Sequence, residues 1–426
     1  MDNHKKPRIC IALPGTDYVP QAPLLFANTL PLLPYLQEDF EIIILFRKAL
    51  GKPALDYPYM TILDINKLSA SDKQGSTANF SPTGLFNAFK YLRVLRRFTQ
   101  QHIDKFDLVL ERQWSLVGAL SQSFSQNKVP AIFVLEAEFY TTRKANIQLY
   151  KHPIGWLSTV GFKKLLPILR RKWIQSVDRI VVETDEMKSF LLKNSYISKT
   201  EQAFSIPNGI NPEIFYPRDR DLCREKLNIK KDEIVLTYVG SLNRFIQEPG
   251  PIIQALGQVQ TKNITLHLIG DGLKRKEFEN LAQQYNTKII FHGRLTQPQA
   301  VQYIGAANLC IAPYNQALFP SGEFTSASLK VCEYLACGRP VMTIPCSRMN
   351  HLLQGEKYGF LVSNTVKSYK NFFQAIMDTN TFVKKEGDLI ADLQHGVLKN
   401  RQIVMTWEDI AQLYKNVIWS ALKENS

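Results

Sequence analysis

The sequence predicts an α/β protein made of two doubly wound domains, each built on a parallel sheet. Short apolar runs that fit buried strands alternate with amphipathic stretches that fit crossover helices. This alternation occurs twice, and a stretch rich in Pro and Asn, residues 206–217, separates the two blocks. A chain of 426 residues has the length of two or three domains of about 150 residues each.

The first block begins with a buried strand at residues 8–13, which we expect to stop at Pro14-Gly15 and lead into a loop. Residues 64–84 are small and polar and predict a longer loop. Further strands of this block are predicted at 40–46, 107–110, 131–135 and 179–182. Its helices are predicted at 22–36, 85–103, 115–125 and 185–193.

The second block repeats the pattern. Its strands are predicted at 234–240, 264–270, 288–292, 309–313 and 341–344. Its helices are predicted at 251–260, 273–285, 297–306 and 328–336. We therefore expect a first domain of residues 1–205 completed by a last helix at 406–422, a linker at 206–217, and a second domain at 218–405. Ligands of doubly wound sheets bind beyond the carboxyl ends of the strands, so we expect one in the cleft that the domains face.

The composition narrows the class of protein and of partner. Apolar residues make up 45% of the chain, which excludes a disordered or fibrous protein. The 52 Lys and Arg residues exceed the 38 Asp and Glu residues by 14, so we expect an anionic partner: nucleic acid, a phosphorylated small molecule or an acidic lipid surface. Six cysteines without a CxxC pair indicate thiols in a reducing compartment. No export signal or membrane-spanning run is evident, so we expect a cytoplasmic protein, soluble or peripheral on the inner face of the membrane.

The predicted helix 328–336 carries the clearest chemical signal. Ser328 is a good N-cap, and the N–H groups of the first turn suit a phosphate. Lys330 lies in that turn, where its charge opposes the helix dipole and indicates a nearby anion. Glu333 lies one turn further on, where a carboxylate can accept hydrogen bonds from the two vicinal hydroxyls of a ribose. The alternative is a surface helix that carries Lys330 and Glu333 incidentally.

Several segments in the expected order resemble the family-four retaining glycosyltransferases of the GT-B fold, the glycosyl transferases group 1. They are DRIVVETDEMKSFLL (178–192), IPNGINPEIFYP (206–217), YVGSLNR (238–244), LHLIGDGLKRKEFE (266–279), IIFHGRLTQPQAVQYIGAANLCIAPY (289–314), SLKVCEYLACGRPV (328–341) and TWEDIAQLY (406–414). The resemblance implies two Rossmann-like domains and transfer of a sugar, with retention, from a nucleotide-diphospho-sugar to an acceptor glycan or glycolipid.

The resemblance also implies a donor site. Glu333 would hold the ribose, and Gly293, Arg294 and Leu295 would lie along the base. Backbone at Gly15, and the side chain of Lys330, would approach the diphosphate. The donor-binding set that we expect is Gly15, Gly240, Ser241, Gly293, Arg294, Leu295, Glu323, Thr325, Ser328, Lys330 and Glu333.

This sequence departs from the family pattern at three places. Thr325 stands where many members have a second Glu, and Glu323 is the nearest substitute. Ser241 and Glu248 stand where many members have Arg and Lys, and Arg244 is the nearest basic replacement. Glu136 stands where many members have a His near the reacting centre, and its alternative role is that of a capping carboxylate. The catalytic candidates are Glu136, Lys330 and Arg244.

The expected chemistry needs no metal and no cofactor beyond the donor substrate. In a front-face, retaining route the departing phosphate takes the acceptor proton, while basic residues and helix N–H groups stabilise its charge. Asp219 and Asp221 form an Asp-x-Asp pair, which we interpret as part of a solvated linker and not as a metal site. The seven histidines show no metal-ligand spacing.

Residues 139–177 contain no Asp or Glu and eight Lys or Arg residues interleaved with apolar ones. This pattern is typical of a helix at an anionic membrane surface, and the alternative is a solvated helix that attracts phosphorylated substrate. The membrane-facing candidates are Trp156, Lys163, Lys164, Arg170, Arg171 and Lys172. Nucleic acid is not an expected partner, since no known nucleic-acid module is present.

Two other functions stay open from the sequence. The departures at Thr325, Ser241 and Glu248 are compatible with a non-catalytic relative that serves as a binding or scaffold protein. A sugar-nucleotide epimerase of the same fold would consume donor without any acceptor.

Overall fold

The computed structural model describes most of the chain. The described ranges are 6–18, 29–49, 61–64, 84–114, 116, 118–136, 153–242, 246–259, 263–319, 321–375, 379–394 and 404–424. The chain divides into two compact units, Met1–Pro207 with Glu408–Ser426, and Asn208–Trp407. We call them the first and the second domain.

The first domain is built on a parallel sheet of seven strands in the order β3-β2-β1-β4-β5-β6-β7. The strands are β1 Arg8–Tyr18, β2 Glu41–Ala49, β3 Thr61–Asp64, β4 Leu108–Arg112, β5 Ala131–Leu135, β6 Arg179–Val182 and β7 Ala203–Ser205. Its α-helices among the described residues are α1 Leu33–Leu36, α2 Gly84–His102, α3 Ala119–Ser125, α4 Pro153–Gln175 and α5 Asp185–Lys193. Short 3-10 turns lie at Leu30–Leu32, Ile103–Lys105 and Thr200–Gln202. The central strands β4 and β5 are buried along their whole length, as expected when helices cover both faces of a parallel sheet.

The first strand is longer than the sequence predicts. We expected it to end at Pro14-Gly15, but β1 continues to Tyr18. Leu13 pairs with Phe46 and Asp17 with Lys48, so the register with β2 shifts between Leu13 and Asp17. The Pro-Gly pair is therefore accommodated as a bulge inside the strand and not as its end.

The second domain is built on a parallel sheet of six strands in the order β10-β9-β8-β11-β12-β13. The strands are β8 Ile234–Val239, β9 Ile264–Ile269, β10 Ile289–Gly293, β11 Leu309–Ala312, β12 Val341–Thr343 and β13 Gly359–Leu361. Its α-helices among the described residues are α6 Arg220–Leu227, α7 Gly250–Val259, α8 Arg275–Gln284, α9 Gln297–Ala306, α10 Leu329–Ala336, α11 Ser347–Leu352, α12 Val366–Ala375 and α13 Thr379–Gln394. A 3-10 turn lies at Gln316–Leu318. Each crossover from strand to strand brings the strand ends that carry the candidate residues to one edge of the sheet.

The last helix, α14 Trp407–Glu424, packs on the first domain. The ring of Trp419 lies 5.1 Å from that of Phe40, and the Lys415 ammonium lies 2.7 Å from the Glu38 carboxylate. The helix begins one residue after the position that the sequence predicts.

Two expected segments fall partly outside the described residues. Of the predicted helix 22–36, residues 29–36 are described, and they form a 3-10 turn followed by α1. Of the predicted loop 64–84, residues 65–83 lie outside the described ranges. All six cysteines are described, and none of them forms a disulfide.

Candidate functional site

Three strand ends of the second domain are fastened together by backbone hydrogen bonds. The Gly240 N–H donates to the Ile269 carbonyl at 2.9 Å, and the Gly270 N–H donates to the Gly293 carbonyl at 2.8 Å. Gly270 has φ of +145°, and an ideal Cβ there would lie 1.8 Å from the Gly240 carbonyl oxygen. Only glycine fits this position, so the loops after β8, β9 and β10 form one rigid edge.

Lys330 reaches this edge from the first turn of α10. Its residue is 8% exposed, and its ammonium lies 4.4 Å from the ring centroid of Tyr238 and 5.7 Å from that of Tyr314. An ideal Cβ on Gly240 would lie 2.6 Å from the Lys330 Nζ. The cation is thus directed at the backbone where β8 ends, and the aromatic rings stabilise it there.

The N-terminus of α10 is built as the sequence predicts. The Ser328 hydroxyl accepts a hydrogen bond from the Val331 N–H at 3.4 Å, which confirms Ser328 as the N-cap. The Tyr314 hydroxyl lies 2.5 Å from the same oxygen. Because Tyr314 follows β11, this bond fixes the start of α10 to the sheet.

Glu333 lies one helical turn beyond Lys330 and is half-buried. Burial raises the pKa of Glu333 to about 7, and the positive charge of Lys330 acts in the opposite direction. Burial disfavours the ionised form of this carboxylate, and hydrogen bonds donated by a ligand would stabilise that form. This arrangement suits a pair of hydroxyl groups.

Tyr238 and Gln247 are site residues that sequence reasoning missed. The Tyr238 hydroxyl donates to the Gln247 Oε1 at 2.8 Å, and both atoms lie within 3.0 Å of an ideal Cβ on Gly240. Tyr238 occupies a buried strand position in an apolar run, so its sequence context gives no sign of a polar role. Gln247 pairs with Tyr314 in an isolated β-bridge, a contact between distant positions that local patterns do not reveal.

The structure places the atypical positions in specific contacts. Glu248 pairs with Lys274 at 2.7 Å, so its negative charge is compensated. The Glu323 carboxylate accepts the Ser347 N–H at 3.1 Å, at the start of α11. Thr325 is buried, and Ser241 is half-buried with its carbonyl 3.2 Å from the Tyr238 hydroxyl. Arg244 lies outside the described residues.

The segment expected along the base ends β10. Gly293 has φ of +70°, and an ideal Cβ there would lie 3.1 Å from an Arg275 guanidinium nitrogen. Arg294 is exposed and Leu295 is half-buried. His292 lies beside this segment with its Nε2 2.9 Å from the Nδ1 of His267. Burial and the neighbouring His292 lower the pKa of His267 to about 4, and burial also lowers the pKa of His292, so the pair is neutral at pH 7.

In the first domain, Gly15 packs against an indole ring. An ideal Cβ on Gly15 would lie 2.6 Å from the Trp114 Cβ, and the Tyr91 hydroxyl donates to the Pro14 carbonyl at 2.5 Å. The Trp114 Nε1 in turn donates to the buried Glu111 carboxylate at 2.6 Å. The structure thus explains the glycine by the approach of Trp114, and the predicted diphosphate contact of its backbone stays a prediction.

Arg112 is the last residue of β4, and Glu136 directly follows the neighbouring strand β5. The Arg112 Nε and one terminal nitrogen both donate to the Glu136 Oε1, at 2.8 and 2.5 Å. The Glu136 N–H donates to the Gln113 Oε1 at 2.7 Å. The predicted catalytic carboxylate is therefore part of an ion pair at the carboxyl edge of the first sheet.

Within the basic segment, the residues from Pro153 to Gln175 form α4, and residues 139–152 lie outside the described ranges. Lys164, Arg171 and Lys172 are exposed, and Ile168 between them is 66% exposed. Arg170 is half-buried, and burial lowers its pKa to about 10 against the opposing effect of Tyr196. The side chains of Trp156 and Lys163 lie outside the described residues.

Neither a metal site nor a membrane span is found in the described part of the chain. No group of three His, Cys, Asp or Glu side chains there is placed to hold a metal ion. Asp219, from the Asp-x-Asp pair, accepts the Leu222 N–H at 2.9 Å and caps α6. Among the described helices, none combines the length and the apolar character that crossing a membrane requires.

The sequence model of the family "Glycosyl transferases group 1" matches residues 233–379, which run from the start of β8 to the start of α13. This part of the second domain is similar in sequence to the glycosyl transferases group 1. This confirms the resemblance found in the sequence. The matched range contains the Gly240, Lys330 and Glu333 cluster.

Curated relatives of this group are distant. D-inositol 3-phosphate glycosyltransferase of Nocardioides sp. is 21% identical over 260 residues, which are 56% of this chain and 53% of the relative. Chitobiosyldiphosphodolichol beta-mannosyltransferase of Debaryomyces hansenii is 22% identical over 289 residues, which are 63% of this chain and 58% of the relative. The chain thus spans little more than half the length of these relatives.

Solved structures of low sequence identity resemble almost the whole chain in fold. Sucrose-phosphate synthase from Thermosynechococcus elongatus gives a TM-score of 0.67 at 18% identity, with 98% of this chain and 100% of that chain covered. Anabaena HepE in complex with UDP and glucose gives 0.64 at 13% identity, with 97% and 100% covered. These likenesses confirm the predicted GT-B fold, two Rossmann-like domains with parallel sheets.

Proposed function

We propose that this chain is a retaining glycosyltransferase that moves a sugar from a nucleotide-diphospho-sugar to a hydroxyl group of an acceptor. The observation that carries the proposal is the buried Lys330 ammonium held against the Gly240 backbone, with Glu333 one turn further on the same helix. A cation, a helix N-terminus and a carboxylate in this order match the diphosphate and the ribose of such a donor.

The reaction requires few protein groups beyond this cluster. As the bond from the anomeric carbon to the phosphate oxygen breaks, negative charge grows on the diphosphate, and Lys330 and the α10 N–H groups stabilise it. The acceptor oxygen forms its bond to the same face of that carbon, and its proton passes to the departing phosphate oxygen. No strong protein base is required in this route, and we expect activity to persist with EDTA.

UDP-glucose is the first donor to test, because Anabaena HepE shares the fold and was crystallised with UDP and glucose. Purified protein would be heated with UDP-, GDP-, ADP- and TDP-sugars, beside Glu333→Ala. A ligand at 100 times its Kd adds about 2.7 kcal/mol of stability, which is readily seen as a rise in Tm. A rise with one nucleotide that is lost in Glu333→Ala is the expected result. No rise with any donor would favour the binding or scaffold protein instead.

The exposed face of α4 supports a finer proposal, an acceptor presented at an anionic membrane surface. Lys164, Ile168, Arg171 and Lys172 follow one another at helical spacing on the solvent side of the helix. An exposed aliphatic side chain among three cations combines the two attractions that bring a helix to acidic lipid. The glycan or glycolipid acceptor would then be lipid-linked.

Vesicle binding tests this finer proposal. We expect co-sedimentation with phosphatidylglycerol vesicles and not with phosphatidylcholine vesicles, and a loss of binding in Arg171→Glu/Lys172→Glu. Lys230→Glu/Lys231→Glu is the matched control, since it makes the same change of charge at exposed positions of the second domain. Equal loss in both double variants would show that only net charge matters, and would remove α4 as the docking element.

A further inference from the structure

The outer face of α2 carries three arginines at helical spacing. Arg96 and Arg97 lie three and four residues beyond Arg93, and all three side chains are exposed. Within the ranges that the structure describes, none of the three guanidinium groups forms an ion pair or a side-chain hydrogen bond. We call these three residues the arginine stripe.

The arginine stripe opposes the stability of its own helix. Like charges three and four residues apart on a helix repel each other. The helix Gly84–His102 contains no Asp or Glu that would offset this repulsion. A negatively charged surface against the stripe would relieve it. The arrangement therefore indicates an anionic partner on this side of the first domain.

Exposed apolar side chains lie beside these cations. Phe89 is 43% exposed and precedes Arg93 by one helical turn, and Ile168 on α4 is 66% exposed. A soluble phosphate would contact the cations and leave the apolar side chains in water. An acidic phospholipid surface accommodates both, because its headgroups attract guanidinium groups and its interface takes up apolar side chains.

The helices α2 and α4 cover the same face of the first sheet. Tyr91 and Leu95 of α2 share one apolar core cluster with Trp173 of α4 and with the strand residue Val109. The exposed sides of both helices lie opposite to that shared core, so they are directed away from the same face of the sheet. The arginine stripe and the exposed cations of α4 can therefore face one membrane together.

We infer that α2 and α4 form one docking surface for acidic phospholipid, with the arginine stripe as its second basic element. The inference rests on the membrane partner proposed for α4 and extends it to a helix of separate sequence. Guanidinium groups suit this role, since they form forked hydrogen bonds with phosphate oxygens. Phe89 and Ile168 supply one apolar contact from each helix.

Co-sedimentation of the full chain with phosphatidylglycerol vesicles tests the arginine stripe. We expect Arg96→Glu/Arg97→Glu to lower the partition coefficient about tenfold or more. The Tm of this variant should not fall, because the change removes repulsion with Arg93. Lys230→Glu/Lys231→Glu is the matched control, since it makes the same change of charge at exposed positions of the second domain. Equal losses in the two double variants would overturn the inference, since net charge alone would then explain binding.

Phe89→Ala separates a lipid surface from a soluble anion. This variant keeps every charge, and we expect its partition coefficient to fall about threefold or more through the lost apolar contact. Unchanged partitioning of Phe89→Ala would overturn the inference. Tighter binding of a single-stranded DNA oligonucleotide than of vesicles would assign the stripe to nucleic acid and overturn it as well.

The outcomes distinguish this inference from the proposals on which it rests. Normal vesicle binding by Arg96→Glu/Arg97→Glu, with binding lost in Arg171→Glu/Lys172→Glu, would overturn the inference and leave α4 as the docking element. A wild-type chain that does not bind phosphatidylglycerol vesicles would overturn both membrane proposals. A wild-type chain that binds these vesicles, but shows no rise in Tm with any nucleotide sugar, would overturn the proposed transfer and leave the docking surface in place.

Discussion

The Lys330 ammonium occupies the space that a side chain on Gly240 would need. The distance from an ideal Gly240 Cβ to the Lys330 Nζ is 2.6 Å, and the Tyr238 hydroxyl and the Gln247 Oε1 lie 2.9 and 3.0 Å from the same point. The glycine at the end of β8 is therefore explained by a lysine that arrives from α10, across the sheet edge. This contact couples a backbone position to the cation that we assign to the donor diphosphate.

Gly240→Ala should weaken donor binding. The added methyl group displaces the Lys330 ammonium, and a charge-assisted hydrogen bond contributes about 1.5–3 kcal/mol, so we expect the Kd for UDP-glucose to rise about tenfold or more. Isothermal titration calorimetry measures it. Gly387→Ala is the matched control, because an added Cβ on that glycine of α13 meets no atom within 4 Å. That control should gain about 1 kcal/mol of stability and bind the donor normally. Normal donor binding by Gly240→Ala would contradict the assignment of Lys330 to the donor diphosphate.

Gly270→Ala should destabilise the second domain far more than a typical glycine replacement. Its φ of +145° disfavours any side chain, and the new Cβ would lie 1.8 Å from the Gly240 carbonyl oxygen. We expect a loss of at least about 2 kcal/mol in the free energy of unfolding. Gly355 also has positive φ, of +62°, but open space around it, so Gly355→Ala should cost only about 1–2 kcal/mol. Urea unfolding compares the two, and equal losses would refute the close contact.

The site residues of the second domain were predicted well where the pattern lies within a few neighbouring residues. Ser328 and Lys330 lie in one helical turn, and capping chemistry identifies that turn without any tertiary information. The compensation of Glu248 by Lys274 joins residues 26 positions apart, and no local pattern contains it. From the sequence, Glu248 was one of the residues that kept a non-catalytic function open, whereas in the structure Lys274 compensates its charge.

The strands were predictable where a buried apolar run stands out from its surroundings. The strands β8 and β9 have six residues each and were predicted almost to the residue, because a buried run of that length is distinct. The short strands β3, β7 and β13 were missed, whereas β12, also of three residues, was predicted. The helices α12 and α13 were missed as well, although α13 has 16 residues. The extension of β1 beyond Pro14-Gly15 was missed because a bulge depends on the neighbouring strand.

Without the Lys274 ammonium, the negative charge of Glu248 should repel the donor diphosphate and weaken its binding. Burial raises the pKa of Tyr238, and Tyr314 and Glu248 raise it further, so the Glu248 charge acts within the site. Lys274→Met leaves that charge uncompensated, and we expect UDP-glucose affinity to fall about three- to tenfold at low salt. Lys274→Met/Glu248→Gln removes both charges and should restore affinity to within about twofold. A double variant as weak as the single one would show that Lys274 itself contacts the donor.

Glu333→Gln should reveal the half-buried carboxylate of Glu333 through the pH dependence of stability. Burial raises the pKa of Glu333 from 4.5 to about 7 in the folded chain. Between these values the folded chain keeps a proton that the unfolded chain has released, so the free energy of unfolding falls as pH rises through this window. The loss is complete above pH of about 7 and reaches no more than about 3 kcal/mol. Glutamine does not ionise, so the free energy of unfolding of Glu333→Gln should rise relative to that of the wild type from pH 5 to pH 8.

Donor binding should show the opposite trend with pH. Ribose hydroxyls donate to the ionised carboxylate, so the Kd of the wild type for UDP-glucose should decrease as pH rises from 6 to 8, and that of Glu333→Gln should stay constant. Urea unfolding and calorimetry at four pH values measure both effects, with Glu225→Gln, an exposed carboxylate of the same domain, as the control for lost charge. Parallel profiles of wild type and Glu333→Gln would contradict the ribose contact. A stability difference without a binding difference would show that Glu333 is a half-buried acid that the donor does not contact.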